Sequence, residues 1–287
     1  MNLSVVIITF NEEANIRRTL ESVQLLVADG KGEIIVVDSG STDRTVEIAK
    51  AFGAKVFIEE WKGYAAQKNS AIDKATGDWI LSLDADEEID SELTKVLTGQ
   101  GDDRLLRSGS PEWCLTIGQG GSAGREIIKG KPVGFLLRRK NYFLGQWIKH
   151  GGFWPDPKLR LFRRGTGRFE NRAVHEDIRV DGLTRPIRYG ALLHHSYPTL
   201  SDYIDHMNRY SSLGAEMVVA KGNGKVRFGA INIVLRPLAT FLYNYFLRLG
   251  FLDGREGLLL HLYHAAYVSW KYAKAWELSR KKTVPAR

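Results

Sequence analysis

Over the first hundred residues, short apolar runs alternate with stretches of helical periodicity. Residues 3–9 form a continuous apolar run that predicts a buried strand. Residues 13–26 repeat apolar side chains with a helical period through Ala14, Ile16, Leu20, Val23 and Leu26. A second strand is predicted over 33–37. The turn Asp38-Ser39-Gly40-Ser41-Thr42-Asp43 follows, with Thr42 or Asp43 placed to cap a helix over 45–52. A third strand falls at 55–58. A helix over 64–74 is closed by Thr76-Gly77, and a fourth strand covers 79–83. This alternation predicts an α/β fold, a doubly wound and mostly parallel sheet with right-handed crossovers.

In such sheets ligands bind beyond the carboxyl ends of the strands. Thr9 and Asn11 follow the first strand, Asp38 the second, and Asp84 and Asp86 the fourth. Two carboxylates one residue apart at the end of a buried strand repel each other, and burial sharpens the repulsion. A hard divalent cation that also holds phosphate oxygens would relieve it. The alternative is that the pair opens an acidic helix with Glu87, Glu88 and Asp90. No G-x-G-x-x-G follows the first strand and no G-x-x-x-x-G-K-[ST] occurs, so a glycine-rich phosphate cradle is not expected. The residues alone therefore indicate an anion-plus-metal site.

The segments SVVIITFNEEANI, VVDSGSTDRTVEIA and GYAAQKNSAIDKATGDWILSLDADEEI, in this order, resemble the nucleotide-sugar half of family 2 inverting glycosyltransferases, which have the GT-A fold. The resemblance implies that Asp38 contacts the nucleobase and that Lys68 sits near base and phosphates. It further implies that Asp84 contacts the ribose, that Asp86 holds Mg²⁺ or Mn²⁺ on the diphosphate, and that Thr9, Asn11 and Glu12 line a uridine pocket.

Charge is divided unevenly along the chain. Residues 1–100 carry a net −8 and the remainder a net +16, although the whole chain is only +8. The basic part should prefer a polyanion or an anionic membrane surface. Residues 147–177 read WIKHGGFWPDPKLRLFRRGTGRFENRAVHED. Lys158, Arg160, Arg163 and Arg164 surround Leu159, Leu161 and Phe162 on a short strand, and with Trp154 could hold a donor diphosphate or a phosphorylated acceptor; a solvated basic strand is the plain alternative. Inverting displacement needs one group to take the acceptor hydroxyl proton. Glu176 is the first candidate and Asp177 the second, with His175 in the metal shell or orienting the base. For Asp177 an ion pair with Arg172 or Arg179 competes. Adjacent His194 and His195 on a strand should point to opposite faces, one toward the core and one toward the site.

GQWIKHGGFWPDPKLRLFRR, RAVHED, HHSYPTLSDYIDHMNRYS and GFLDGREGLLL are similar to lipopolysaccharide core glycosyltransferases, which implies transfer of glucose to an inner-core heptose. The glycine-rich stretch at 118–124 looks like an inserted loop. Residues 228–247, FGAINIVLRPLATFLYNYFL, are long enough to span a membrane, but Arg236-Pro237 and two asparagines oppose it. Two shorter amphipathic helices are expected, with Phe241, Tyr243, Tyr245 and Phe246 at a lipid interface or in an ordinary core. A further helix is predicted over 257–275.

The single Cys114 excludes an internal disulfide, and no signal peptide is expected before the apolar run 3–10. The predicted organisation is a nucleotide-sugar half (1–98), an acceptor half of the same domain (99–225) and a helical, membrane-associated region (226–287), at the cytoplasmic face of a membrane. The expected ligands are a UDP-sugar, Mg²⁺ or Mn²⁺ and a lipid-linked glycan, without nucleic acid. A sugar nucleotidyltransferase is disfavoured because Thr9-Phe10-Asn11-Glu12-Glu13 stands where its glycine-rich loop would be. A non-catalytic nucleotide-sugar binder is the other rival.

Overall fold

The computed structural model describes residues 2–100, 131–170, 177–222 and 229–281. The inserted loop expected at 118–124 lies outside them. The chain makes two compact units, Met1–Arg139 with Asp156–His194, and Lys140–Pro155 with His195–Arg287. This differs from the three consecutive parts expected from sequence. The middle third is shared out: some of its strands complete the first sheet, while its other segments join the C-terminal helices.

The strands are β1 (Leu3–Thr9), β2 (Gly32–Asp38), β3 (Lys55–Ile58), β4 (Trp79–Asp84), β5 (Glu87–Ile89), β6 (Gly134–Leu137), β7 (Arg139–Phe143), β8 (Gln146–Trp147), β9 (Lys158–Arg163), β10 (Gly167–Phe169), β11 (Ile178–Val180), β12 (Thr184–Pro186) and β13 (Leu192–Tyr197). The first unit is built on a seven-stranded sheet in the order β12-β6-β9-β4-β1-β2-β3. β1 runs parallel to β2 and β4, β2 to β3, and β12 to β6; β9 is antiparallel to both its neighbours. Thr9 lies opposite Asp38, and Ile8 opposite Asp84. The polar residues that end three separate strands therefore meet at one sheet edge.

Helices cover both faces. α1 (Ile16–Val27) turns Ile16, Leu20, Val23 and Leu26 onto Val5, Ile7, Leu81 and Leu83. α2 (Thr45–Ala51) adds Ile48 and Ala49 to the same layer. On the other face α3 (Tyr64–Asp73) packs Ala65, Ala71 and Ile72 on Val6, Ile35, Val37 and Ile80. Alternate residues of β1 thus serve opposite layers, which is why the run reads as continuously apolar. Each such fully buried aliphatic side chain contributes roughly 1.5–3 kcal/mol.

Two boundaries depart from the sequence pattern for visible reasons. α1 begins at Ile16 rather than 13, because Glu12 and Glu13 are held by the neighbouring loop. Their backbone N–H groups donate to Thr45 Oγ1 (2.8 Å) and Asp43 Oδ2 (3.1 Å). The acidic run after Asp86 does not open a helix. Glu87–Ile89 pairs antiparallel with β13, and α4 (Ser91–Thr98) starts only after Asp90, whose carboxylate accepts from Leu93 N at 2.8 Å.

Among the described residues the second unit is helical apart from the β7–β8 hairpin and the end of β13. α5 (Leu200–Lys221) opens with a capping box between Thr199 and Asp202. Residues 231–247 wind continuously through Ile231–Leu235, α6 (Arg236–Leu242) and Tyr243–Leu247, the outer two segments with looser π-type turns. The expected break at Arg236-Pro237 is absent. Leu235 and Arg236 keep helical dihedrals, and the looser turn before Pro237 absorbs its missing N–H. The chain reverses instead at Leu249, in a left-handed conformation, and enters α7 (Gly254–Lys281). Phe143, Ile148, Tyr203 and Leu260 form the core, with Ala215, Val219 and Ala275 between α5 and α7. No helix among the described residues is long and apolar enough to cross a membrane.

Candidate active site

The loops after β1 and β2 are stitched together at the sheet edge. Asn11, left-handed at φ 54°, accepts from Thr42 N through its side chain (2.9 Å) and donates its own N–H to Ser41 Oγ (2.8 Å). Asparagine tolerates that conformation better than other non-glycine residues. Asp38 is fully buried. Its Oδ1 accepts from the N–H groups of Gly40 and Ser41 (2.9 and 2.7 Å), and its Oδ2 from Thr9 Oγ1 and Ser41 Oγ (2.9 and 2.5 Å). A carboxylate has about four acceptor positions, and all are taken. Asp38 and Thr9 are thereby tied to each other and to the loop that follows β2.

Next to this wall stands a chain of alternating charges. Lys68 Nζ on α3 lies 2.7 Å from Asp84 Oδ1, and Arg160 Nη2 on β9 lies 2.5 Å from Asp84 Oδ2. The same Arg160 nitrogen reaches Glu87 Oε1 at 2.7 Å. Glu87 also accepts from Arg139 (3.2 Å), which holds Asp156 (2.7 Å), which in turn pairs with Lys158 (3.4 Å). Arg160 is 6% exposed and Glu87 0%, so these charges persist only because they are paired. Burial alone would raise the Asp84 carboxyl, but Arg160 and then Lys68 hold it well below the usual range. The repulsion inferred from the Asp84–Asp86 spacing is thus already answered at Asp84 by two side chains.

Asp86 is answered by His194, whose Nε2 lies 3.4 Å from Asp86 Oδ2. Burial raises the Asp86 carboxyl and the histidine lowers it, with a net downward shift. Glu12 is pushed the other way, by burial first and then by Asp86, Asp43 and Asp84, against its bond to Asn15. Glu12 therefore feels the negative charge of Asp86 and Asp84, which a divalent cation bound beside it would relieve. Among the described residues no group of three or more His, Cys, Asp or Glu side chains is arranged to hold a metal. The fit is to an ion held by one or two side chains and otherwise by substrate oxygens and water, as hard cations are at phosphate sites.

The structure sorts the basic residues expected to contact phosphate. Arg160 is a buried structural partner of Asp84 and Glu87, and Lys158 ends the same network. Arg163 lies opposite Trp79, at the far end of β4 from Asp84, and the structure does not bring it to the carboxylates. Arg164 is beside it, donating to Gly77 O at 2.8 Å. Trp154 is in the second unit, edge-to-face with Trp147 at 5.2 Å. Asp177 is exposed at the start of β11, its backbone carbonyl accepting from Glu170 N at 3.1 Å. Glu176 and His175 lie outside the described residues. The ring of Phe169, the last residue of β10, faces Lys68 Nζ at 5.1 Å.

Sequence reasoning overlooked Glu87, Arg139, Asp156 and the direction of His194. The alternation along β5 carried a signal for Glu87: a residue between Asp86 and Glu88 on a strand faces the layer opposite to both. His194 is the member of the histidine pair that turns to the carboxylates, while His195 stacks on Tyr142 at 4.8 Å.

Comparison with known proteins bears on the family and the fold. The glycosyl transferase family 2 model matches residues 4–104. A lipopolysaccharide core biosynthesis glycosyltransferase of Rhizobium meliloti, LpsC, is 30% identical over 99% of this chain and 95% of its own length. An uncharacterized glycosyltransferase of Rickettsia felis is 50% identical over 99% of this chain and 93% of its own. A mannosyltransferase of Pyrobaculum calidifontis, solved with GDP-Man and Mn²⁺, superposes with a TM-score of 0.51 at 15% identity, covering 96% of this chain and 87% of that one. That last likeness concerns the fold, the GT-A fold that the family resemblance implied. With a relative at this identity matched from end to end, the chain belongs to glycosyltransferase family 2.

Proposed function

We propose that this glycosyltransferase is an inverting enzyme that moves a hexose, glucose first among candidates, from a UDP-sugar to an inner-core heptose of lipopolysaccharide. The carrying observation is the gathering of Glu12, Asp84 and Asp86 beside Lys68, at the strand ends where Thr9 bonds to Asp38. Asn11 and Glu12 border the nucleoside, and Asp84 presents a carboxylate fixed by two cations to the ribose. Asp86, with His194 beside it, would hold Mg²⁺ or Mn²⁺. The metal would supply charge neutralisation for the departing diphosphate. The GDP-Man and Mn²⁺ of the Pyrobaculum complex support a nucleotide-sugar donor with a metal, and the name of the Rhizobium relative supports the acceptor class.

In the displacement the acceptor oxygen attacks the anomeric carbon from the face opposite the diphosphate. The new C–O bond forms as the old one breaks, and the bonding pair leaves with the phosphate oxygen. The acceptor proton passes to a carboxylate, for which Glu176 is proposed and Asp177 is second. A lipid-linked acceptor places the reaction at the cytoplasmic face of a membrane, with the protein bound peripherally.

The test uses purified protein, UDP-glucose, Mn²⁺ and a heptose-terminated core oligosaccharide. Transfer with inverted anomeric configuration, read by NMR, is expected, and Asp86→Ala should abolish it. Turnover only with another nucleotide sugar would replace the donor, and retention of configuration would overturn the mechanism.

A further inference from the structure

Residues 231–262 invert the usual arrangement of a helical hairpin. Ile231, Val234, Leu235, Leu238, Leu242 and Phe246 recur at helical spacing of three or four, yet each is exposed, Ile231 by 67%. The polar side chains of the same segment find partners within this unit, although Arg236 is itself exposed. Arg236 donates to the Tyr272 hydroxyl of α7 and lies over its ring at 4.9 Å, and Thr240 Oγ1 bonds to Arg236 O (2.9 Å). The stripe continues around the reversal, where Leu247 is 76% exposed, with Leu249, Phe251 and Leu252, and then along α7 through Leu258 and Leu262. Among the described residues, thirteen of the twenty-one large exposed hydrophobics fall in these thirty-two positions. A patch this concentrated is a binding surface, since scattered apolar exposure is the norm.

Charge decides what covers it. Residues 229–252 hold two arginines and no acidic residue. Arg248 stands exposed at the reversal, over the Tyr243 ring at 5.6 Å and with no carboxylate partner among the described residues. Beyond residue 100 the chain carries a net +16. Tyrosine, phenylalanine and arginine around a leucine-rich turn are the composition of an interfacial element, and neither arm is apolar and long enough to cross. We propose that this hairpin is a membrane-docking device. The turn 247–252 enters the headgroup–acyl boundary of an anionic bilayer, the 231–246 stripe lies along it, and Arg248 pairs with lipid phosphate. The inference deepens the proposed function, and rests on it for the presence of a lipid-linked acceptor.

Sedimentation with vesicles tests it. The full chain should pellet with mixed phosphatidylcholine–phosphatidylglycerol vesicles and only weakly with pure phosphatidylcholine. The triple variant Leu247→Ser, Phe251→Ser, Leu252→Ser removes exposed side chains only, and should lower partitioning by roughly tenfold or more. Arg248→Glu should lower it a few-fold and weaken its salt dependence. Circular dichroism confirms that the variants keep their helices. Wild-type protein that stays in the supernatant, or a triple variant that pellets equally well, overturns the proposal. So does a wild-type dimer in solution that the triple variant loses, which would give the surface to a second copy. A thermal shift with UDP-glucose and Mn²⁺ on the same proteins keeps the two readings apart. Donor binding without vesicle binding sinks the docking surface alone, and vesicle binding without donor binding sinks the proposed donor alone.

Discussion

The two units break the same rule in opposite directions. Globular proteins keep apolar side chains inside and charges outside. In the first unit, Arg160 and Glu87 are buried and joined to Asp84 and Arg139 in a continuous network. In the second, Leu247, Ile231 and Leu252 stand in solvent on a well-formed hairpin. Each exception costs stability if nothing else uses it, and each marks the chemistry it meets: polar and ionic at the sheet edge, apolar and anionic at the hairpin. The first unit stabilises its exception from within, by pairing. The second has no such internal remedy among the described residues, so its exposed face must be covered from outside.

The comparison can be broken most forcefully at the chemistry. Glu176→Gln should lower kcat by about a hundred- to ten-thousand-fold while leaving donor affinity unchanged, as loss of a general base does. Asp86→Ala should lower both turnover and donor affinity in the presence of Mn²⁺. Isothermal titration beside single-turnover kinetics separates the two, and equal loss of donor binding in both variants would argue against the base assignment.

Next in size is the buried network. Arg160→Met leaves Glu87 without its closest cation and should cost about 3–5 kcal/mol in urea denaturation. Adding Glu87→Gln should recover part of that loss, because the two residues are directly coupled. A loss under about 1 kcal/mol would show that the pairs do not stabilise the first unit as argued.

Acid should then separate the units. In the second, His261 is buried against Phe153, and burial followed by His264 lowers its pKa from 6.5 to about 4. Between those values the unfolded chain takes a proton that the folded one refuses. Stability should fall as pH drops through that window, by on the order of 3 kcal/mol at most, and His261→Phe should flatten the fall. In the first, burial alone would raise Glu33, but Lys55, Thr76 and Ser4 bring it from 4.5 to about 2. Its stabilisation is present above 4.5 and is lost as pH falls toward 2. Because the Lys55 partner is largely exposed, Glu33→Gln should cost only about 1 kcal/mol at neutral pH and less in acid. Amide exchange resolved to β1 and α7 tells which unit loosens first. Simultaneous loosening would erase the distinction.

Much of the first unit could be read in advance. Leu3–Thr9, Lys55–Ile58 and Trp79–Asp84 are strands within one residue of expectation, because continuous apolar runs flanked by helical periods have few other uses. Glu87 was misplaced because a three-residue strand carries too little pattern to compete with an acidic helix start. Pro237 was expected to break a helix, but π-type winding absorbed it. His194 could be assigned to one of two faces by periodicity, but only pairing with β5 decided which one meets Asp86.

Local pattern alone determined the order of strands and helices and the collection of Thr9, Asp38 and Asp84 at one edge. These follow from side-chain periodicity and from the fixed handedness of parallel crossovers. Tertiary structure decided the electrostatic outcome. Sequence spacing places Asp84 and Asp86 together, but the side chains that face them, Lys68, Arg160 and His194, come from three other elements, α3, β9 and β13. It also decided that the apolar stripe of 231–247 faces outward, because a helix's period fixes which residues share a face and only its neighbours fix where that face points.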